Sequence, residues 1–341
     1  MSDVAIPEAK TSERLVEVID LHKHFVRRRG LPFFGREEVT RAVDGVSLVI
    51  RKGQTIGLVG ESGSGKSTLG RVILDLVSRT SGSVLFEGNE VLESDGHASR
   101  ALRRKMQIVF QDPFASLNPR MTVGESVREG LRAGGMIGAA QIEERLKELI
   151  ASVGLAPRHI EVFPHRLSGG QRQRVAIARA LSVSPSFIVA DEPVSALDLS
   201  IQAQILNLLA DVQAKFGLTY LLISHDLNVI RYLADYVAVM YRGRIVEEAP
   251  AETLFAAPLH PYTQLLFSAL PKIDHRGDRV GRGKADVAAT LRPAAPGGCS
   301  FYARCARAQP SCANSEPTLD VIETGHRVAC FRANESAPAA L

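Results

Sequence analysis

Tryptophan is absent from this 341-residue chain, and aromatic residues make up only 6% of it. That leaves no stacking platform of the kind that holds unpaired bases, which argues against a single-strand nucleic-acid binder. Long apolar runs are missing as well: nothing approaches the ~18 uninterrupted apolar residues of a membrane span. The first ten residues lack the basic-then-apolar order of a secretory signal. The expectation is therefore a protein kept in the cytoplasm that meets a membrane only through a partner. Neither sign of charge dominates, with 41 Lys and Arg against 37 Asp and Glu, so the net charge of +4 gives no pull toward nucleic acid. No cysteine occurs before residue 299, and all four lie in the tail. In a reducing compartment such a cluster points to metal before disulfide.

What is present is enough apolar sequence, 45%, for a sizeable core. The length allows one large α/β domain and a smaller appendage. Residues 1–13 read as a loose terminus. Leu15–Ile19 and Ala42–Ile50 read as strands on either side of a basic, aromatic loop, Arg27–Arg36, taken as a hairpin tip rather than a membrane contact. Thr55–Val59 is a buried-type strand, and Leu69–Leu76 continues as a helix. Met106–Phe110 is a strand, and an amphipathic helix is clearest at Ile142–Ile150. Helix Arg172–Leu181, strand Phe187–Ala190, helix Ile201–Lys215 and strand Thr219–Ser224 follow. Val237–Met240 and Arg244–Glu247 form a hairpin about Arg242-Gly243. Residues 274–298 read as a linker rich in Arg, Gly, Ala and Pro.

The chemistry concentrates where these elements change. Gly60-Glu61-Ser62-Gly63-Ser64-Gly65-Lys66-Ser67-Thr68 follows a strand and opens a helix. Its glycines let successive N–H groups point at phosphate oxygens, and the helix adds its positive end. Lys66 reaches the β- and γ-phosphates, and the Ser67 hydroxyl ligates Mg²⁺. Asp191 ends a buried strand and would hold Mg²⁺ through water, while Glu192 can polarise an attacking water. His225 follows the strand 219–224, at the edge where ligands of a parallel sheet gather. Gln111, after the strand ending in Phe110, can reach Mg²⁺ and that water. Leu167-Ser168-Gly169-Gly170-Gln171 is a second small-residue turn opening a helix, with Ser168 lying 102 positions after Lys66. A chain with two phosphate donors invites pairing with a similar chain, each giving one face to a shared nucleotide.

Together these residues resemble the nucleotide-binding subunits of ATP-binding cassette transporters, over about residues 15–270. The resemblance implies a P-loop NTPase of RecA-like α/β core with an antiparallel β subdomain and an inserted helical subdomain. Its ATP-binding domain would span 14–255, the helical part about 112–175, and a C-terminal extension 256–341. It further implies head-to-tail dimers in which Ser168 and Gly170 face the γ-phosphate held by the partner's phosphate loop. Ser195-Ala196-Leu197-Asp198 resembles the loop that crosses between subunits, and Phe25 stands where an aromatic stacks on adenine. The catalytic set has no departure from the pattern, so ATP hydrolysis is implied.

Three stretches are similar to the oligopeptide and dipeptide importers: Val109–Pro119, His260-Pro261-Tyr262-Thr263, and the tail from Gly298 to Cys330. Within that group the chain resembles the second of two ATPase subunits, usually paired with a non-identical partner. Two membrane permease subunits and an extracytoplasmic solute-binding protein are implied, with the chain on the cytoplasmic face of the membrane. Relatives with this tail also import nickel chelates or glutathione. Cys299, Cys305, Cys312 and Cys330 leave 5, 6 and 17 intervening residues. Four thiolates suit an iron–sulfur cluster or zinc, or stay unligated; the resemblance favours a four-iron, four-sulfur cluster. The rival class is a soluble ATPase of the same superfamily acting on ribosomes or DNA. Such relatives carry two nucleotide domains or a long coiled coil, and this chain has one motif set and no heptad run. A non-enzymatic metal-binding regulator leaves the catalytic set unexplained.

Overall fold

The computed structural model describes residues 13–29, 36–92, 98–136, 138–268 and 297–335. The N-terminus read as loose, the tip of the Arg27–Arg36 loop and the linker up to residue 296 lie outside them. β1 (Arg14–Arg29) and β2 (Arg36–Arg51) pair antiparallel, from Arg14 opposite Arg51 to Arg29 opposite Arg36. Both strands run well beyond their expected bounds, so Arg27–Arg29 and Arg36 are strand rather than loop. The inner half buries Val16, Val18, Leu48 and Ile50, whereas Val26 and Val39 in the outer half are exposed. Without an apolar face the outer half gives no period to read; backbone pairing makes it a strand.

β3 (Thr55–Val59) is buried throughout and feeds α1 (Lys66–Ile73) through the glycine loop. β4 (Ser81–Phe86) and β5 (Asn89–Glu90) complete an antiparallel sheet ordered β2-β1-β4-β5. α2 (Arg100–Lys105), unforeseen in the sequence, starts on Ser99, whose hydroxyl accepts the Leu102 N–H. It buries none of its residues, so it carries no hydrophobic period. β6 (Met106–Val109) leads into the helical insert: α3 (Pro113–Ser116), α4 (Val123–Ala133), α5 (Ala139–Ser152) and α6 (Gly169–Leu181). A Thr122/Glu125 capping box starts α4. α5 buries Ile142, Leu146, Leu149 and Ile150 along one stripe, packed in one core with Val127 and Leu131 of α4 and Val175 of α6.

β7 (Phe187–Asp191), α7 (Leu199–Phe216), β8 (Thr219–Ile223), α8 (Leu227–Leu233), β9 (Tyr236–Tyr241) and β10 (Arg244–Pro250) follow. Strands β6, β7, β8, β3 and β9 lie parallel in that order, and β10 returns antiparallel to β9 about Arg242-Gly243. α9 (Ala251–Ala256) and α10 (Pro261–Ser268) close this part.

The tail contributes α11 (Pro310–Asn314), β11 (Asp320–Glu323) and β12 (His326–Val328). β12 pairs with β10, so the tail extends the main sheet as β11-β12-β10-β9-β3-β8-β7-β6. Two buried acids of β10 anchor it. Glu247 accepts the backbone N–H groups of Leu259 and His260 and meets His326 Nε2 at 2.8 Å. Glu248 accepts from Arg327 at 2.8 Å. Among the described residues no helix is long and apolar enough to cross a membrane.

Candidate nucleotide site

The parallel strands β3, β6, β7 and β8 end on one edge of the sheet, where ligands of open α/β sheets bind. Gly60 to Gly65 curl there, and the curl needs glycine. At Gly60 (φ 153°) an added Cβ would lie 2.2 Å from the Met240 carbonyl oxygen. At Gly65 (φ 109°) it would lie 2.0 Å from that of Ala42. The neighbouring strands thus press directly on the loop, and the Gly243 N–H donates to Ser64 O at 2.8 Å. Ser64 is buried, and Ser62 and Gly63 face solvent.

Lys66 is 5% exposed, and its ammonium donates to the carbonyls of Gly60 (2.8 Å) and Glu61 (2.9 Å). Burial pushes its pKa down, against the pull of Glu192, Asp191 and Glu61. Thr68 follows in the first turn of α1. Ser67 Oγ donates to Asp191 Oδ1 at 2.7 Å, and Arg71 reaches Asp191 Oδ2 at 3.6 Å. Two of the three residues read as Mg²⁺ holders, Ser67 and Asp191, are thus in direct contact, and oxygen donors of this kind suit that hard cation.

Glu192 sits one residue past β7 with φ 48°, a left-handed conformation that non-glycine residues seldom adopt. Gln111 Nε2 donates to its Oε2 at 2.8 Å, and His225 Nδ1 meets its Oε1 at 3.0 Å. Three residues from three loops, after β6, β7 and β8, are therefore brought together on one carboxylate. Its side chain is 16% exposed, close to solvent without being immersed in it.

Ser168 and Gln171 form a reciprocal cap at the start of α6, with Ser168 Oγ accepting the Gln171 N–H and Gln171 Oε1 the Ser168 N–H. Gly169 and Gly170 occupy the first turn, and a Cβ on Gly170 would meet Ile201 Cγ2 at 2.5 Å. Among the described residues no hydrogen bond joins this turn to the phosphate loop. Asp198 caps α7 without a side-chain bond, and the following Leu199 is 82% exposed. Phe25 is exposed on β1, opposite Thr40 and two residues along β2 from Ala42, so it is no part of the core. The Lys23 ammonium lies 4.9 Å from its ring centre.

The four cysteines line one small pocket with His260, Phe301 and Phe331. Its walls are largely apolar. Burial drives the Cys299 thiol up to about 12 and raises that of Cys330, and the other thiols of the set push the same way. The four thiols border this one pocket without coming within 4.8 Å of one another as a set, and thiolate sulfur is the donor that a soft thiophilic metal centre takes. A second cluster does not fit a metal. His22, His24 and Asp44 come within 4.8 Å of one another, but Arg244 forks onto Asp44 Oδ2 at 2.8 and 3.2 Å. A guanidinium already neutralises that carboxylate.

Two contacts escaped sequence reading. Tyr262 Oη accepts the Glu61 N–H at 2.8 Å, and Arg304 forks both NH groups onto the Glu61 carboxylate, each at 2.8 Å. Both residues lie in stretches notable in the sequence, His260–Thr263 and Gly298–Cys305, but nothing local gave them a role.

A parallel sheet with a glycine loop after its β3 strand, an acidic pair after β7, a histidine after β8 and a capped Ser-Gly-Gly turn in a helical insert defines an ATP-binding cassette. The chain matches the ABC transporter family over residues 43–195 and the oligopeptide/dipeptide transporter C-terminal region over residues 246–312. It is 43% identical to the dipeptide transport ATP-binding protein DppF of Escherichia coli K12 over 330 residues, 96% of this chain and 97% of that one. It is 45% identical to the oligopeptide transport ATP-binding protein AppF of Bacillus subtilis 168, over 94% and 98% of the two chains. Among solved structures, the ATP-binding cassette MJ0796, a dimer bound to ADP and Pi, superposes with a TM-score of 0.60 at 32% identity, covering 70% of this chain and 99% of that one. The chain belongs to the ATP-binding subunits of ABC transporters and is an ATPase of that family.

Proposed function

We propose that this chain is the ATP-hydrolysing subunit of a peptide importer, acting at the cytoplasmic face of the membrane without entering it. What carries the reading is one chain joining a complete catalytic set to the oligopeptide/dipeptide transporter C-terminal region. The working unit is a head-to-tail dimer with a second, non-identical ATPase subunit. In it Ser168, Gly169, Gly170 and Gln171 offer their helix end to the γ-phosphate on the partner, and Asp198 lies at the crossing. Phe25 lies against the adenine, and Lys66 with the loop N–H groups neutralises the phosphates. Ser67, Asp191 and Gln111 would hold Mg²⁺, which would supply charge neutralisation to the phosphates. Glu192 takes the proton of the attacking water while His225 and Gln111 keep its carboxylate in line.

Residues 14–255 form the motor, with the helical part at about 112–175 passing its motion to two permease subunits. Peptide arrives through an extracytoplasmic solute-binding protein, which sets the choice among oligopeptides, dipeptides or other solutes. Cys299, Cys305, Cys312 and Cys330 of the extension at 256–341 would hold a four-iron, four-sulfur cluster, for which four thiolates are a suitable donor set. Reconstitution with the permeases that co-purify with the chain tests the transport reading: peptide-loaded binding protein should stimulate ATP hydrolysis several-fold. ATPase activity indifferent to peptide and to permeases would leave a soluble ATPase instead. Iron and acid-labile sulfide analysis of anaerobically purified protein tests the cluster; zinc or no metal rejects it.

A further inference from the structure

A carboxylate inside a phosphate-binding loop is electrostatically misplaced, because it repels the anion that the loop exists to hold. Glu61 is such a carboxylate, and its charge is met from far away in the chain. Arg304 NH1 and NH2 each lie 2.8 Å from one of its two oxygens. The fork holds the Glu61 carboxyl below its ordinary range, so it is ionised and paired.

The guanidinium is itself fixed. It lies over the rings of Tyr241 and Phe301, which pack with buried Tyr262 at centroid distances of 4.6–5.5 Å. Tyr262 takes the Glu61 N–H, and Lys66 donates to the Glu61 carbonyl. Every polar group of Glu61 is thus engaged, two of the three sets by residues C-terminal to the cassette's own motifs. Cys305 follows Arg304 directly, so a displacement at the cysteines is a displacement of the fork.

We propose that Arg304 is a positioning residue of the nucleotide site. It neutralises Glu61 and clips the segment 297–312 to the phosphate loop, so that the extension and the loop share one nucleotide affinity. The inference rests on nucleotide binding at Gly60–Thr68 and not on what the thiols hold. Arg304 is spent on Glu61 and does not itself touch phosphate.

The test is MgATP affinity, measured calorimetrically at physiological salt on the full chain with its cysteine site intact. Arg304→Gln should weaken binding about tenfold, because an unpaired carboxylate then faces the triphosphate. Glu61→Gln combined with Arg304→Gln should bind several-fold more tightly than Arg304→Gln alone, since the offending charge is gone. Wild-type affinity in Arg304→Gln overturns the proposal. So does a double variant no better than the single one, which would place Arg304 on the phosphates or in a purely structural role. Hydrogen exchange on the unmutated protein gives an independent reading. By reciprocity of coupled sites, MgATP should slow exchange across 299–312, and unchanged exchange there overturns the coupling.

Discussion

Ser67 and Asp191 are 124 residues apart in sequence, yet the hydroxyl of one donates to Oδ1 of the other at 2.7 Å. The contact joins the first turn of α1 to the end of β7, so the phosphate loop and the acidic pair are set by one sheet edge. It also leaves Asp191 Oδ2 facing Arg71 at 3.6 Å, with the carboxylate almost wholly buried. Asp191→Asn keeps the shape and one acceptor but removes the charge that favours a divalent cation. The Mg²⁺ concentration for half-maximal hydrolysis should rise about 10–100-fold, read from a Mg²⁺ titration at fixed ATP. An unshifted titration would remove Asp191 from the metal's surroundings.

Glu192→Gln keeps the Gln111 contact and the side-chain volume and discards the ability to take a proton. Hydrolysis should fall by ~10²–10⁴, equivalent to ~3–5 kcal/mol of barrier, while ATP binding survives. Single-turnover rates alongside nucleotide affinity separate the two effects. Normal turnover in this variant assigns the base to another residue.

Gly65→Ala tests whether the loop's curvature serves binding. At φ 109° the new methyl carbon would approach the Ala42 carbonyl oxygen to 2.0 Å, so the loop or β2 must move. A displacement costing about 1–3 kcal/mol should weaken nucleotide binding by about tenfold or more, with circular dichroism unchanged. Undiminished ATP affinity would mean that the loop tolerates a different path.

Much of this was legible because some chemistry is written locally. The glycine loop carries its own spacing, β3, β7 and β8 are apolar runs leading to that loop, to the acidic pair and to His225 respectively, and α5 shows its stripe at Ile142, Leu146, Leu149 and Ile150. The rest depends on partners that no window of sequence contains. The outer halves of β1 and β2 are strands through pairing alone, with Val26 and Val39 exposed. α2 buries nothing, and β12 finds β10 across 79 residues through Glu247 and His326. The Arg304 fork onto Glu61 spans 243 residues, and a single Arg before a cysteine gives no hint of it. Local period and motif spacing report the near neighbours, whereas charge pairs across the fold report only after the chain has closed.

Glu248 shows what such a closure costs. It is 4% exposed, one of its oxygens accepts from Arg327 and the other, Oε2, is buried without a hydrogen-bond partner. Burial therefore raises its carboxyl above the ordinary value of 4.5, and the Arg327 charge only partly offsets this. Between pH 4.5 and its raised folded-state value, the folded protein therefore holds more of a proton here than the unfolded chain does. A group raised in this way contributes its full stability below pH 4.5 and loses it as pH rises through the folded-state value. Glu248→Gln, which cannot ionise, removes that loss while keeping an acceptor for Arg327. The melting temperature of the variant relative to wild type should climb as pH is raised from 4.5 toward neutrality, measured by thermal denaturation at constant ionic strength. A difference that stays flat across that range would mean that Glu248 is as readily ionised in the folded sheet as in water, and that Arg327 alone compensates its burial.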